Sequence, residues 1–60
     1  MKMTFELKMS AAQALVLFGD WRCRIERLGK DFCNLIFFDD AETQRFEEYA
    51  EENNIEYRLV

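Results

Sequence analysis

The 60-residue chain contains no histidine and no proline, and it has only two glycines and two cysteines. Without histidine it lacks the side chain that most readily moves protons near neutral pH and ligates metals. Cys23 and Cys33 do not form a Cys-x-x-Cys, so neither a zinc site nor a disulfide-exchange motif can be assembled. Ser10, Thr4 and Thr43 have no imidazole to activate them, and Gly19 and Gly29 stand too far apart to make a phosphate-binding loop. A carboxylate pair of the glycosidase kind would need a cleft that so short a chain cannot build. These absences predict no metal, no cofactor and no self-contained enzyme.

The missing proline, together with the lack of any Ser/Gly-rich or low-complexity tract, leaves no candidate boundary, so residues 1–60 read as one domain. Two cysteines are too few for the dense disulfide frameworks of small secreted scaffolds, which points to a reducing compartment. The opening Met-Lys-Met-Thr-Phe-Glu-Leu-Lys alternates charged and apolar residues and offers no apolar signal region, and no run approaches membrane-spanning length. The expectation is a cytoplasmic protein with no membrane partner.

What the chain does have is apolar mass. Hydrophobic residues make up 50% and aromatics 15%, with six Phe, enough for collapse without a metal or disulfide. Sixty residues nevertheless lie near the lower limit at which a core alone offsets chain entropy, so a partner or a second copy could add appreciably to a small net stability. The net charge of −4 is unevenly placed: six bases face four acids in residues 1–31, whereas Arg45 and Arg58 face eight acids in residues 32–60. An acidic total argues against nucleic acid as the principal partner, because phosphate affinity comes from excess Lys and Arg.

Met3, Phe5, Leu7 and Met9 alternate with Lys2, Thr4, Glu6 and Lys8, the period-two pattern of a strand with one wet face. Ser10-Ala11-Ala12-Gln13 reads as a capping box, opening a helix over Ala11–Phe18 that stops at Gly19-Asp20. Trp21–Leu28 admits two readings. Trp21, Cys23 and Ile25 alternate with Arg22, Arg24 and Glu26, and Gly29-Lys30 supplies a turn, with a Gly tolerant of positive φ, into a hairpin with Asp31–Phe38, of which Phe32–Phe38 is nearly continuous apolar. Alternatively Ala11, Ala14, Phe18, Trp21, Ile25 and Leu28 fall on heptad positions of one long helix, at a cost of about 1.5 kcal/mol for Gly19 and Asp20 in its middle. The hairpin is the favoured reading. A second capping box at Asp39-Asp40-Ala41-Glu42 opens a helix with Phe46, Tyr49, Ala50 and Asn53 on one face, and Asn53-Asn54 suits its end. Ile55, Tyr57 and Leu59 then alternate in a closing strand.

The resulting fold class is α+β: a ferredoxin-like βαββαβ unit, with a four-stranded antiparallel sheet and two helices on one face. The alternative is a three-stranded βαβαβ two-layer α/β arrangement. In the hairpin, a two- or three-residue turn sets Cys33 opposite Glu26 or Arg27 and Cys23 opposite Ile36 or Phe37, too far apart for a disulfide.

Two surfaces are candidate binding sites. A three-residue turn puts Cys33, Leu35 and Phe37 inside and leaves Phe32, Ile36 and Phe38 on the open sheet face beside Arg22 and Arg24. Glu47, Glu48, Glu51 and Glu52 form an acidic stripe on the second helix, either a landing site for a basic partner or simply a solvated face. The first helix adds a further clue, since only Gln13 is polar in Ala11–Phe18 and a helix apolar all round needs cover on more than one side, from a twin subunit or a partner protein, unless Ala12 and Val16 are simply exposed singly.

Lys30-Asp31-Phe32-Cys33-Asn34-Leu35-Ile36-Phe37 loosely resembles the RNP1 strand of RNA-recognition motif domains, which share the βαββαβ order. The likeness covers these eight residues. Asp31 stands where the family has Gly, Asn34 replaces a stacking aromatic, and Thr4 and Glu6 offer no ring on the first strand. Only Phe32 keeps the stacking role that the resemblance implies toward single-stranded RNA. The leading expectation is therefore a small protein-binding module acting as a regulator, adaptor or inhibitor of a larger protein, similar in type to phage-encoded inhibitors. A single-stranded RNA-binding domain and a homodimerising structural subunit are the alternatives.

Overall fold

The computed structural model describes residues 2–60, and the N-terminal alternation becomes strand β1 (Met3–Leu7), with Phe5 and Leu7 buried. Lys8 and Met9 lie past the end of β1, and Ser10 caps helix α1 (Ala11–Phe18), its hydroxyl accepting the Gln13 N–H at 3.1 Å. The ambiguous stretch after α1 is a strand, β2 (Cys23–Arg27), and not a helical continuation. Trp21 lies outside that strand. Its N–H donates to the Phe18 carbonyl at 3.1 Å and so closes the end of α1.

Strand β3 (Cys33–Phe37) returns antiparallel to β2, with Cys23 opposite Phe37 and Arg27 opposite Cys33. The Leu28 N–H donates to the Phe32 carbonyl at 3.2 Å, which leaves Gly29-Lys30-Asp31 as a three-residue loop. Gly29 does not use positive φ there, as no described glycine does. Helix α2 (Asp40–Glu52) follows, capped by Asp39, and ends at Asn53 before Asn54 takes φ 55°, the left-handed conformation expected of Asn. Only half of the second capping box forms. Asp39 Oδ1 accepts the Ala41 N–H at 2.9 Å, while Glu42 turns instead to the Arg22 N–H at 2.9 Å. Strand β4 (Tyr57–Leu59) completes a sheet of order β2-β3-β1-β4 in which every pairing is antiparallel. The chain is thus a ferredoxin-like α+β fold.

Inward-facing strand residues Phe5, Leu7, Cys33, Leu35 and Phe37 share one buried cluster with Ala14 and Phe18 of α1 and Phe46 and Ala50 of α2. Strand side chains alternate, so both helices cover one sheet face and leave the other open. Phe46 is the hub: its ring centroid lies 5.0 Å from Phe5, 5.5 Å from Phe18, 5.3 Å from Phe37 and 5.2 Å from Tyr57. A second group joins Phe18 to Trp21 at 5.0 Å and Trp21 to Tyr49 at 5.4 Å. The Arg45 guanidinium stacks 3.9 Å over Trp21 and donates to Glu42 at 3.3 Å, so the α1–β2 connection is fastened to α2.

The two glycines should respond oppositely to alanine. A Cβ on Gly19, whose backbone is helical, would come within 2.5 Å of the Leu15 carbonyl oxygen, whereas at Gly29 it meets nothing within 4 Å. Gly19→Ala is expected to lower the unfolding free energy by about 1–3 kcal/mol. Gly29→Ala should leave it unchanged or raise it by about 0.5 kcal/mol through the unfolded state. Urea midpoints of the two variants check this.

Candidate functional site

The strand registers fix which residues share the open face. Glu26, Asn34, Glu6 and Arg58 form one row across β2, β3, β1 and β4, and the next contains Arg24, Ile36 and Thr4. Hydrogen bonds past the strand ends, Lys8 N–H to Glu56 at 3.3 Å and Val60 N–H to Thr4 at 2.9 Å, extend the rows. Phe32 then lies beside Leu28 and Lys8 at one end of β3, and Phe38 continues the opposite end.

The five residues expected on this face do not form one patch. Phe32 is 42% exposed and Phe38 58%, but six residues of strand separate them by about 20 Å. Ile36, expected as an exposed member, is only 7% exposed: it occupies an inner strand with Thr4 on one side and Arg24 on the other. Arg24 stands exposed in the same row. Arg22 precedes β2; its amide is bound to Glu42 and its guanidinium lies 3.8 Å from Asp39, so it belongs to the α2 cap and not to a sheet row. At the Phe32 end a cleft of about 160 Å³ is lined by Glu6, Lys8, Phe32, Glu56, Tyr57 and Arg58. Arg58 Nε donates to Glu6 Oε1 across it at 2.6 Å. The Asn34 side-chain carbonyl is buried nearby in sequence and row without a hydrogen-bond partner.

The acidic stripe is brought together on α2. Glu48, Glu51 and Glu52 are exposed, Glu47 is half-buried, and Glu47 and Glu51 bear on Tyr57. Burial first, then those two carboxylates, push the Tyr57 phenol above its ordinary value.

The surface missing from the expected sites is on α1. Ala14 and Phe18 anchor the helix to the core, which turns Ala12, Leu15 and Val16 away from it; Leu15 is 61% exposed and Val16 84%. The helix carries no acid in its first turn and no base in its last. The absence of charge in Ala11–Phe18 was the legible signal, but which apolar residues faced water depended on the packing angle.

The cysteines are unpaired, Cys33 buried and Cys23 partly so. Burial, and secondarily Glu42, push the Cys23 thiol up to about 11 from 9.0, and burial raises Cys33. Among the described residues no cluster of His, Cys, Asp and Glu could hold a metal, and no helix is long and apolar enough to cross a membrane.

All three raised groups act in one direction. Between the ordinary value of 9.0 and about 11, the unfolded chain releases the Cys23 proton while the folded chain retains it, so stability falls as pH rises through that window and is fully present below it. The urea midpoint should therefore drop between pH 8.5 and pH 11, with a smaller drop in Cys23→Ala; an identical drop in both proteins would contradict the assignment to Cys23. Comparison of the chain with protein-family models, curated proteins and solved structures returns no match in any of the three, so the functional reading rests on its surfaces.

Proposed function

We propose that the chain is a small protein-binding module acting in the cytoplasm as a regulator, adaptor or inhibitor of a larger protein. The observation that carries this reading is the uncharged outer face of α1, where Val16 and Leu15 stand 84% and 61% exposed on a helix already anchored through Ala14 and Phe18. Apolar surface presented in this contiguous form is typical of docking sites. The two cysteines, unpaired and set in different rows of the sheet, support a reducing location.

The acidic α2 stripe fits the role of a solubilising face, which keeps the rest of the surface selective. Single-stranded RNA finds weaker support. Phe32 has Lys8 and Arg58 nearby, but Glu6 and Glu56 line the same cleft and Arg58 is already paired with Glu6. Phe38 lies too far along β3 to stack a neighbouring base.

Affinity capture from a lysate of the native host, with and without nuclease, tests the proposal. The wild-type chain is expected to retain a protein partner through nuclease treatment, and Val16→Glu, at a position exposed enough to preserve the fold, should lose it. Undiminished capture by Val16→Glu, or capture that disappears with nuclease, would contradict it.

A further inference from the structure

The open face of the sheet carries two exposed phenylalanines and two opposite charges set symmetrically about its middle. The row Ile25, Leu35, Phe5 and Leu59 crosses all four strands in register and marks the midpoint of the face. Phe32 and Phe38 lie three residues to either side of Leu35 on β3, while Glu26 and Arg24 lie one residue to either side of Ile25 on β2. Both phenylalanines are exposed. Glu26 and Arg24 are exposed as well, and neither makes an ion pair among the described residues.

We propose that this face binds a second copy of the chain across a two-fold axis lying between the sheets, perpendicular to the strands and along that middle row. Such an axis exchanges the two halves of every strand. Each Phe32 then meets the Phe38 of the other copy, and each Glu26 meets its Arg24, giving two aromatic contacts and two ion pairs from one surface. Stacked antiparallel sheets tolerate this arrangement, with strand directions inclined by about 30°. The same operation brings Lys2 over Lys8, whose stems are long enough to carry both ammonium groups to the rim.

Face pairing is favoured over edge pairing because the edges are blunted. β4 has three residues, and β2 carries Arg24, Glu26 and Arg27. Four strands and four rows of outward side chains span a face that buries on the order of 1,000 Å² across both subunits. That is the lower end of specific interfaces, so the expected dimer is weak and reversible. The pairing leaves the α1 strip outside, and it stands or falls independently of what binds there.

Sedimentation velocity of the full chain from about 5 µM to about 1 mM provides the test, because mass action should reveal a weak dimer over that range. Wild type is expected to shift from monomer to dimer. Arg24→Glu and Glu26→Arg should each weaken association at least about tenfold by setting like charges face to face, and the double exchange Arg24→Glu/Glu26→Arg should restore it. Phe38→Ala should weaken it, and Val16→Glu should not. A chain that stays monomeric at the highest concentration would overturn the proposal. So would a dimer indifferent to both single reversals, or one abolished by Val16→Glu.

Discussion

The packing of Phe46 is the contact on which the rest of the molecule depends. It comes from α2 and meets rings from β1, α1, β3 and β4, so one side chain ties four other elements into the same core. In 60 residues there is little apolar area to spare. Concentrating it around one aromatic hub on one sheet face leaves the opposite sheet face and the outer side of α1 without cover. The exposed apolar residues are thus a consequence of how the core is built.

Much of this architecture was legible in the sequence because local and long-range preferences agree. Met3–Leu7 alternates cleanly, Ser10 is a good cap, and Asn54 accepts the conformation that ends α2. Trp21–Leu28 was harder, since its apolar spacing fits both periods, and the outcome depended on a partner strand: Ile25 pairs opposite Leu35, and Cys23 opposite Phe37. The turn expected at Gly29-Lys30, with two or three residues left open, forms as the three-residue loop Gly29-Lys30-Asp31 without the positive φ that a glycine would allow.

The surfaces were less legible, for a physical reason. Alternation assigns a residue to a face but does not reveal how neighbouring strands cover it, so Ile36 lies on the open face and is buried there. Arg22 continues the alternating pattern, yet its amide is captured by Glu42, twenty residues away, and its side chain is drawn to Asp39. The α1 strip was visible as missing charge, with Ala12 and Val16 as the residues open to exposure; Leu15 joined them once Ala14 and Phe18 were known to be the anchoring residues.

Two unlike faces result: a mixed-charge sheet surface, with Phe32 and Phe38 and with Glu26 and Arg24 placed symmetrically about its middle row, and an uncharged helix face whose exposure is dominated by Val16 and Leu15. Separate roles for these two faces would show in paramagnetic solvent relaxation measured by NMR at two protein concentrations. In dilute solution, Phe32, Phe38 and Arg24 on the sheet and Val16 on α1 should all feel the probe. At high concentration the sheet residues should become shielded while Val16 remains accessible. Shielding of Val16 with the sheet still accessible, or no shielding anywhere, would contradict separate roles for the two faces.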